Sequence, residues 1–243
     1  MRRFSRQEQI GILLIGLLFV FSFARPLLAN PLRLLLTLFG LVVAITVHEF
    51  GHAWVAYRLG DNTAKLQGRV SFNPVVHFDP VGAMMILFTF ASGFGLGWGK
   101  PVPVNPRRLA GGRNGMAVVA MAGIAMNLLT AVVLAVVIRL LSSYTGSPQV
   151  ALITQISGTV MVINVFLAMF NFIIALPPLD GYNFLVNVLP LQWALKLRVL
   201  EQYGPALLLL VIIGSQMGIL GFDVIGKLVG VPATAILRLL GAL

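Results

Sequence analysis

The chain has 243 residues, 58% of them apolar and 10% charged, with a net charge of +10, a mean hydropathy of +0.96 and no cysteine. A soluble domain carries about 25% charged residues, so this composition excludes an ordinary soluble protein and points to a polytopic membrane protein. Disulfides and thiolate metal ligands are excluded too, and the basic residues lie in short loops between apolar runs, which marks membrane orientation rather than nucleic-acid binding.

Residues 1–8 are polar and basic, with Arg2, Arg3 and Arg6. The apolar run Ile10 to Ala24 follows, closed by Arg25-Pro26. Ser22-Phe23-Ala24 is a weak signal-peptide cleavage pattern, but the run is read as a retained first helix that Leu27, Leu28 and Ala29 extend. Leu34 to Leu59 has no internal proline and reads as the second helix. In the polar stretch Gly60 to Pro80, Leu66, Gly68, Val70 and Phe72 alternate with Gln67, Arg69 and Ser71, which predicts a strand over 66–72. Asn73-Pro74 and Asp79-Pro80 are turn signals.

Val81 to Trp98 is apolar and just long enough either to span or to dip in and return. Lys100 to Asn114 carries four basic residues and no acidic one, and Pro101 and Pro103 hold Val102 in extended chain that can pair along one side only. Gly115 to Leu141 is a long apolar helix containing Asn127. Val150 to Leu176 is another, with Asn164 and Asn171 on one face. Pro177-Pro178 breaks it, and Leu179-Asp180-Gly181 follows. Tyr182 to Leu189 is short, Pro190 to Tyr203 is amphipathic and basic, Gly204 to Leu220 is a spanning candidate, and Val224 to Leu243 suits the membrane interface. The expected fold is an all-α polytopic membrane protein of about six transmembrane helices, with a small β element at 66–72 after the second helix. It is a single domain over 1–243, with a core at about 34–190 and peripheral helices at 8–29 and 204–243.

The chemistry is concentrated in His48-Glu49-Phe50-Gly51-His52, near the end of the second helix. On a helix, His48 and His52 stand one turn apart on one face, as two ligands of one divalent metal require, and Glu49 lies at the edge of that face. H-E-x-x-H is the zincin pattern of two zinc ligands and a general base. The competing reading is two helix-face histidines satisfied by neighbours. A third ligand is needed, and Asp180, His77, Asp79, Glu201 and Asp223 are available. Asp180 is preferred because it follows a proline break in a buried helix, where freed backbone is tolerated only against protein or a wet cavity. Zinc, Asp180 and Glu49 with two neutral histidines sum to zero charge, which suits membrane depth. A cytoplasmic basic N-terminus brings His48 and His52 toward the cytoplasm, and Asp180 reaches the same side if 81–98 turns back.

The chain resembles the site-2 protease family of intramembrane zinc metalloproteases, in a compact prokaryotic branch. The resemblance rests on His48-Glu49-Phe50-Gly51-His52, Pro178-Leu179-Asp180-Gly181, Asn73 to Pro80 and Lys100 to Pro106, and covers roughly residues 34–222. It implies one Zn2+ per chain held by His48, His52 and Asp180, with Glu49 as base. It also implies a transmembrane segment of another protein as substrate and a re-entrant β element after the metal helix; a multi-pass place in the plasma membrane with no nucleic-acid partner is expected alongside, from the hydropathy and charge pattern. Two positions depart from the family pattern. Asn171 lacks the proline that follows the family's asparagine, and Ile124 stands where the middle helix has proline, although Gly123 and Asn127 remain. Substrate contact is expected at Asn127, Asn171 and Val70, the last on an unpaired strand edge at 66–72 or 101–104. A zinc-binding membrane transporter or channel is the alternative function.

Overall fold

The computed structural model describes residues 29–92, 97–144, 146–219 and 221–242. The expected first span lies before them. The helices are α1 (Pro31–Arg58), α2 (Thr63–Leu66), α3 (Pro80–Ser92), α4 (Arg113–Leu141), α5 (Pro148–Ile173), α6 (Asp180–Val188), α7 (Leu191–Leu197), α8 (Val199–Gln216) and α9 (Val231–Leu239). Short 3₁₀ turns occupy Pro74–His77, Pro106–Arg108 and Ser142–Tyr144. The boundaries follow the local chemistry. The Asn30 side chain accepts from the Arg33 N–H at 3.0 Å, with proline in the first turn, and starts α1.

Among the described residues, four helices are long and apolar enough to cross a membrane: Pro31–Arg58, Arg113–Tyr144, Pro148–Ile173 and Val199–Gln216. At about 1.5 Å per residue, α1 runs about 42 Å, more than the roughly 30 Å of a bilayer's hydrocarbon. Their outer faces expose Leu35 and Phe39 on α1, Val133 and Leu140 on α4 and Leu210 on α8. Such faces suit lipid, and the chain is a membrane protein.

The centre of the bundle is α4, which packs against α1, α5 and α6, while α1 also packs against α5. The crossings are built on small residues. Ala44, Ala53, Ala56, Ala131 and Ala168 are fully buried, which lets backbones approach as membrane helix packing requires. The larger core joins Ile124, Met161, Val165, Leu208, Ile212 and Leu237 from α4, α5, α8 and α9. A smaller cluster of Ala56, Leu109 and Val119 pins the 98–112 loop to α1 and α4.

Two expectations are corrected. No strand occurs among the described residues, so the re-entrant β element over 66–72 is absent there. Instead α2 closes with Gly68 at φ +69°, the Gly68 N–H bonding Lys65 O at 2.9 Å and the Arg69 N–H bonding Ala64 O at 2.9 Å. This is a Schellman turn, and only glycine takes its left-handed position without strain. The supposed apolar face is turned outward: Leu66 and Phe72 are exposed, while Arg69 is buried. Period-two alternation assumes one dry face and one wet face, and at a membrane surface exposed apolar groups do not mark either.

The count of about six spans is likewise not met, since four are found among the described residues. α3 has 13 residues, about 20 Å, too short to cross. The Lys100 N–H bonds His77 O at 2.9 Å, so the chain leaves and returns at one level around α3. Residues 77 and 100, on either side of α3, therefore lie together, and α3 itself does not cross.

Candidate metal centre

His48 and His52 project from adjacent turns of α1, with their Nε2 atoms 3.1 Å apart. Asp180 opens α6, immediately after the Leu176–Leu179 turn. Its Oδ2 lies 2.9 Å from His48 Nε2 and 3.2 Å from His52 Nε2. Both histidines are buried, and Asp180 nearly so. Among the described residues, these three form the group whose donor atoms can share a metal ion.

The hydrogen bonds behind the ring determine what this triangle can hold. Asn127 Nδ2 donates to Ala44 O at 2.9 Å and to Asn164 Oδ1 at 2.8 Å. Both amide hydrogens are thereby used, and Asn127 Oδ1 must accept from His48 Nδ1 at 2.6 Å. His52 Nδ1 faces the Val119 carbonyl at 2.7 Å, which can only accept. Each histidine therefore carries its proton on Nδ1 and turns the Nε2 lone pair inward. Asp180 Oδ2 meets those two lone pairs and has no hydrogen-bond partner among the described residues, although it is buried.

Three lone pairs at the corners of a 3 Å triangle repel each other. A proton relieves one edge, whereas a divalent cation satisfies all three donors at once. The edges of 2.9–3.2 Å lie close to the roughly 3.3 Å edge of a tetrahedron with bonds of about 2.0–2.1 Å. Neutral imidazoles backed by a carbonyl and an amide are the usual outer shell of a zinc site, and the donors fit zinc. α4 approaches the rings closely enough that a Cβ on Gly123 would lie 2.4 Å from His52 Nε2 and 2.8 Å from His48 Nδ1.

Glu49 is half-buried beside this group. Its Oε2 accepts the Val102 N–H at 3.1 Å. Arg69 is buried nearby, donating through Nη2 to the Lys100 carbonyl and facing His77 Nδ1 at 3.5 Å. Burial pulls the Arg69 guanidinium below its usual range, and the charge of Glu49 opposes the fall. Burial likewise lowers His77, with Arg69 adding to the fall, while its Nε2–H bond to Ser71 O, 2.8 Å long, opposes it.

Of the possible third ligands, only Asp180 joins the histidines among the described residues. His77 serves the loop, Asp79 caps α3 through the Gly82 N–H at 2.7 Å, Glu201 accepts from Tyr182 and Asp223 accepts from Ser215. Asn127 is fully buried behind His48. Asn171 donates to Leu167 O on its own helix at 3.0 Å, and Val70 is half-buried in the loop after α2. Sequence reasoning missed the roles of Val119 O and Arg69. A backbone carbonyl leaves no mark in a sequence, and Arg69 looked like a strand's wet face.

No family model and no solved structure matches the chain. Curated relatives do. A Bacillus subtilis (strain 168) protein named Putative zinc metalloprotease YwhC is 34% identical over 206 residues, covering 84% of this chain and 90% of that one. A Mycobacterium tuberculosis (strain ATCC 25618 / H37Rv) protein named Putative zinc metalloprotease Rip2 is 27% identical over 183 residues, 73% of this chain and 66% of that one. The protein of that name from Mycolicibacterium smegmatis is 24% identical over 195 residues, 79% and 71% of the two chains. With its histidine–histidine–aspartate group and this likeness, the chain belongs to the site-2 protease family of zinc metalloproteases.

Proposed function

We propose that the protein is an intramembrane zinc endopeptidase that hydrolyses a peptide bond within a transmembrane segment of another membrane protein. The observation that carries this reading is the triangle of His48, His52 and Asp180 lone pairs in a bundle of membrane-length helices, with Glu49 beside it. His48, His52 and Asp180 would hold the ion. When bound, zinc polarises the scissile carbonyl and acidifies water, lowering its pKa from 15.7 to about 7.

The remaining steps fall to the chain. Glu49 takes a proton from the attacking water as the new C–O bond forms, then returns it to the amide nitrogen as the C–N bond breaks. Asn127 and the Val119 carbonyl keep both imidazoles in the tautomer that binds metal. The hydrocarbon around the outer faces limits water to the site and presents helical segments to it. From the basic loop Lys100 to Arg113, we orient the site toward the cytoplasmic side of the plasma membrane.

Glu49→Gln tests the reading. It replaces the carboxylate by a neutral amide of the same size, so the purified variant keeps one zinc per chain while cleavage of a reconstituted panel of single-span proteins falls by about 10²–10⁴-fold. Cleavage at the parent rate in this variant would sink the proposal. So would a parent that releases only soluble peptides and leaves every spanning segment intact.

A further inference from the structure

The proline-rich segment 97–105 passes the catalytic carboxylate and is fastened by side chains that are not metal ligands. The Lys100 N–H bonds His77 O at 2.9 Å, and the Lys100 carbonyl accepts from Arg69 Nη2. The Val102 N–H bonds Glu49 Oε2 at 3.1 Å, and the Asn105 N–H bonds Asp61 Oδ2 at 2.6 Å. Lys100 and Val102 thus direct their backbone groups to one side, as alternate residues of extended chain do. Pro101 and Pro103 have no N–H, so Val102 supplies the single donor between them.

Arg69 is an unusual residue to bury. It is 3% exposed, and its Nε and Nη1 are buried with no hydrogen-bond partner among the described residues. A buried cation with two idle donors weakens a fold rather than strengthening it. What it does provide is one strong bond to the Lys100 carbonyl, two residues before the N–H that meets Glu49. His77 supports it from both ends. Its Nε2–H is committed to Ser71 O, which leaves the Nδ1 lone pair toward Arg69, and its own carbonyl takes the Lys100 N–H.

We infer that Arg69 is a positioning residue for the catalytic base, fastening segment 97–105 so that the Val102 N–H holds Glu49 in its working orientation. The inference rests on the reading of Glu49 as the base. Arg69 bonds the Lys100 carbonyl and faces His77, with no hydrogen bond to His48, His52 or Asp180. It acts through Lys100 and Val102.

The test uses the zinc-loaded full-length chain in lipid nanodiscs, comparing Arg69→Gln, Val102→Pro and the double variant. Val102→Pro deletes the single N–H and leaves extended chain. All three keep stoichiometric zinc. Each single variant loses about 10–100-fold in kcat with KM little changed, the scale of a slightly misplaced catalytic group. Because both break one linkage, the double variant is no slower than the slower single one. Amide exchange over 98–105 quickens at least about tenfold in Arg69→Gln, a readout independent of activity.

Multiplying effects in the double variant, unchanged exchange, or loss of zinc in Arg69→Gln would each overturn the inference. The last would make Arg69 part of the fold alone. If the parent shows no zinc-dependent cleavage, the functional reading fails, while exchange over 98–105 still decides whether Arg69 fastens the segment.

Discussion

Replacing Asn127 by leucine probes the tautomer lock on the metal centre. Leucine has nearly the shape of asparagine but removes three hydrogen bonds, to His48 Nδ1, Ala44 O and Asn164 Oδ1. His48 then has no reason to keep its proton on Nδ1, and the tautomer protonated on Nε2 has no lone pair for the metal. Losing such an outer partner weakens zinc binding about 10–100-fold, or about 1.4–2.7 kcal/mol. Two buried groups, His48 Nδ1 and Asn164 Oδ1, also lose their partner, and each costs about 1–3 kcal/mol of stability. Asn127→Asp is the contrast. Its carboxylate still accepts from His48 Nδ1 but loses the two donations to Ala44 O and Asn164 Oδ1, so it binds zinc more tightly than the leucine variant while its fold is less stable than the parent's. The assay is competition for zinc against a chelator of known affinity, with helical content checked by circular dichroism. Leucine binding zinc within about twofold of the parent would refute the tautomer argument.

Gly123→Ala puts a methyl onto the two imidazoles. Overpacking costs about 1–3 kcal/mol and here falls on the ligands, so zinc affinity should drop about tenfold or more with the helices intact, read by the same competition. Stripping zinc leaves three lone pairs facing one another. Thermal unfolding of the stripped protein should therefore start at lower temperature and recover on adding zinc, by about 2.7 kcal/mol at a hundredfold excess over Kd.

Asp61, buried between α1 and the 98–112 loop, is expected to make stability depend on pH. Burial pushes its carboxyl up, but bonds from the Thr63 hydroxyl and the Asn105 and Thr63 N–H groups outweigh that and hold it below the ordinary 3.8. The folded value being lower, its stabilisation is full above the unfolded pKa and fades as pH falls through the folded one. Asp61→Asn should thus melt below the parent at neutral pH, with the gap closing as pH drops below about 4. A gap constant from pH 7 to 3 would contradict this.

Much of the site was legible because local periodicity writes it down. His48 and His52 four apart on an apolar helix are neighbours in any fold that keeps the helix, and Asp180 after two prolines was marked by the cost of a carboxylate in an apolar run. Asn127, an amide deep in an apolar helix, signalled an interhelical partner, though not which partner. The loop over 66–72 was misread because alternation tells an inner from an outer face only where water covers the outside. There Gly68 closed a helical turn instead of continuing a strand, and Phe72 turned back to stack on Phe50 with centroids 3.9 Å apart.

By itself, the sequence determined the class of molecule, the helix that carries the paired histidines, and the acid that the fold brings beside them, since these follow from hydropathy, helical spacing and the cost of buried charge. Only the tertiary structure decided which nitrogen of each histidine is free, because that depends on Val119 O and Asn127 arriving from α4 across 67 and 79 residues of chain. It also decided that Arg69 lies inside and Val102 meets Glu49. Those contacts join a loop to a helix through single backbone groups, which every residue but proline possesses and no sequence pattern distinguishes.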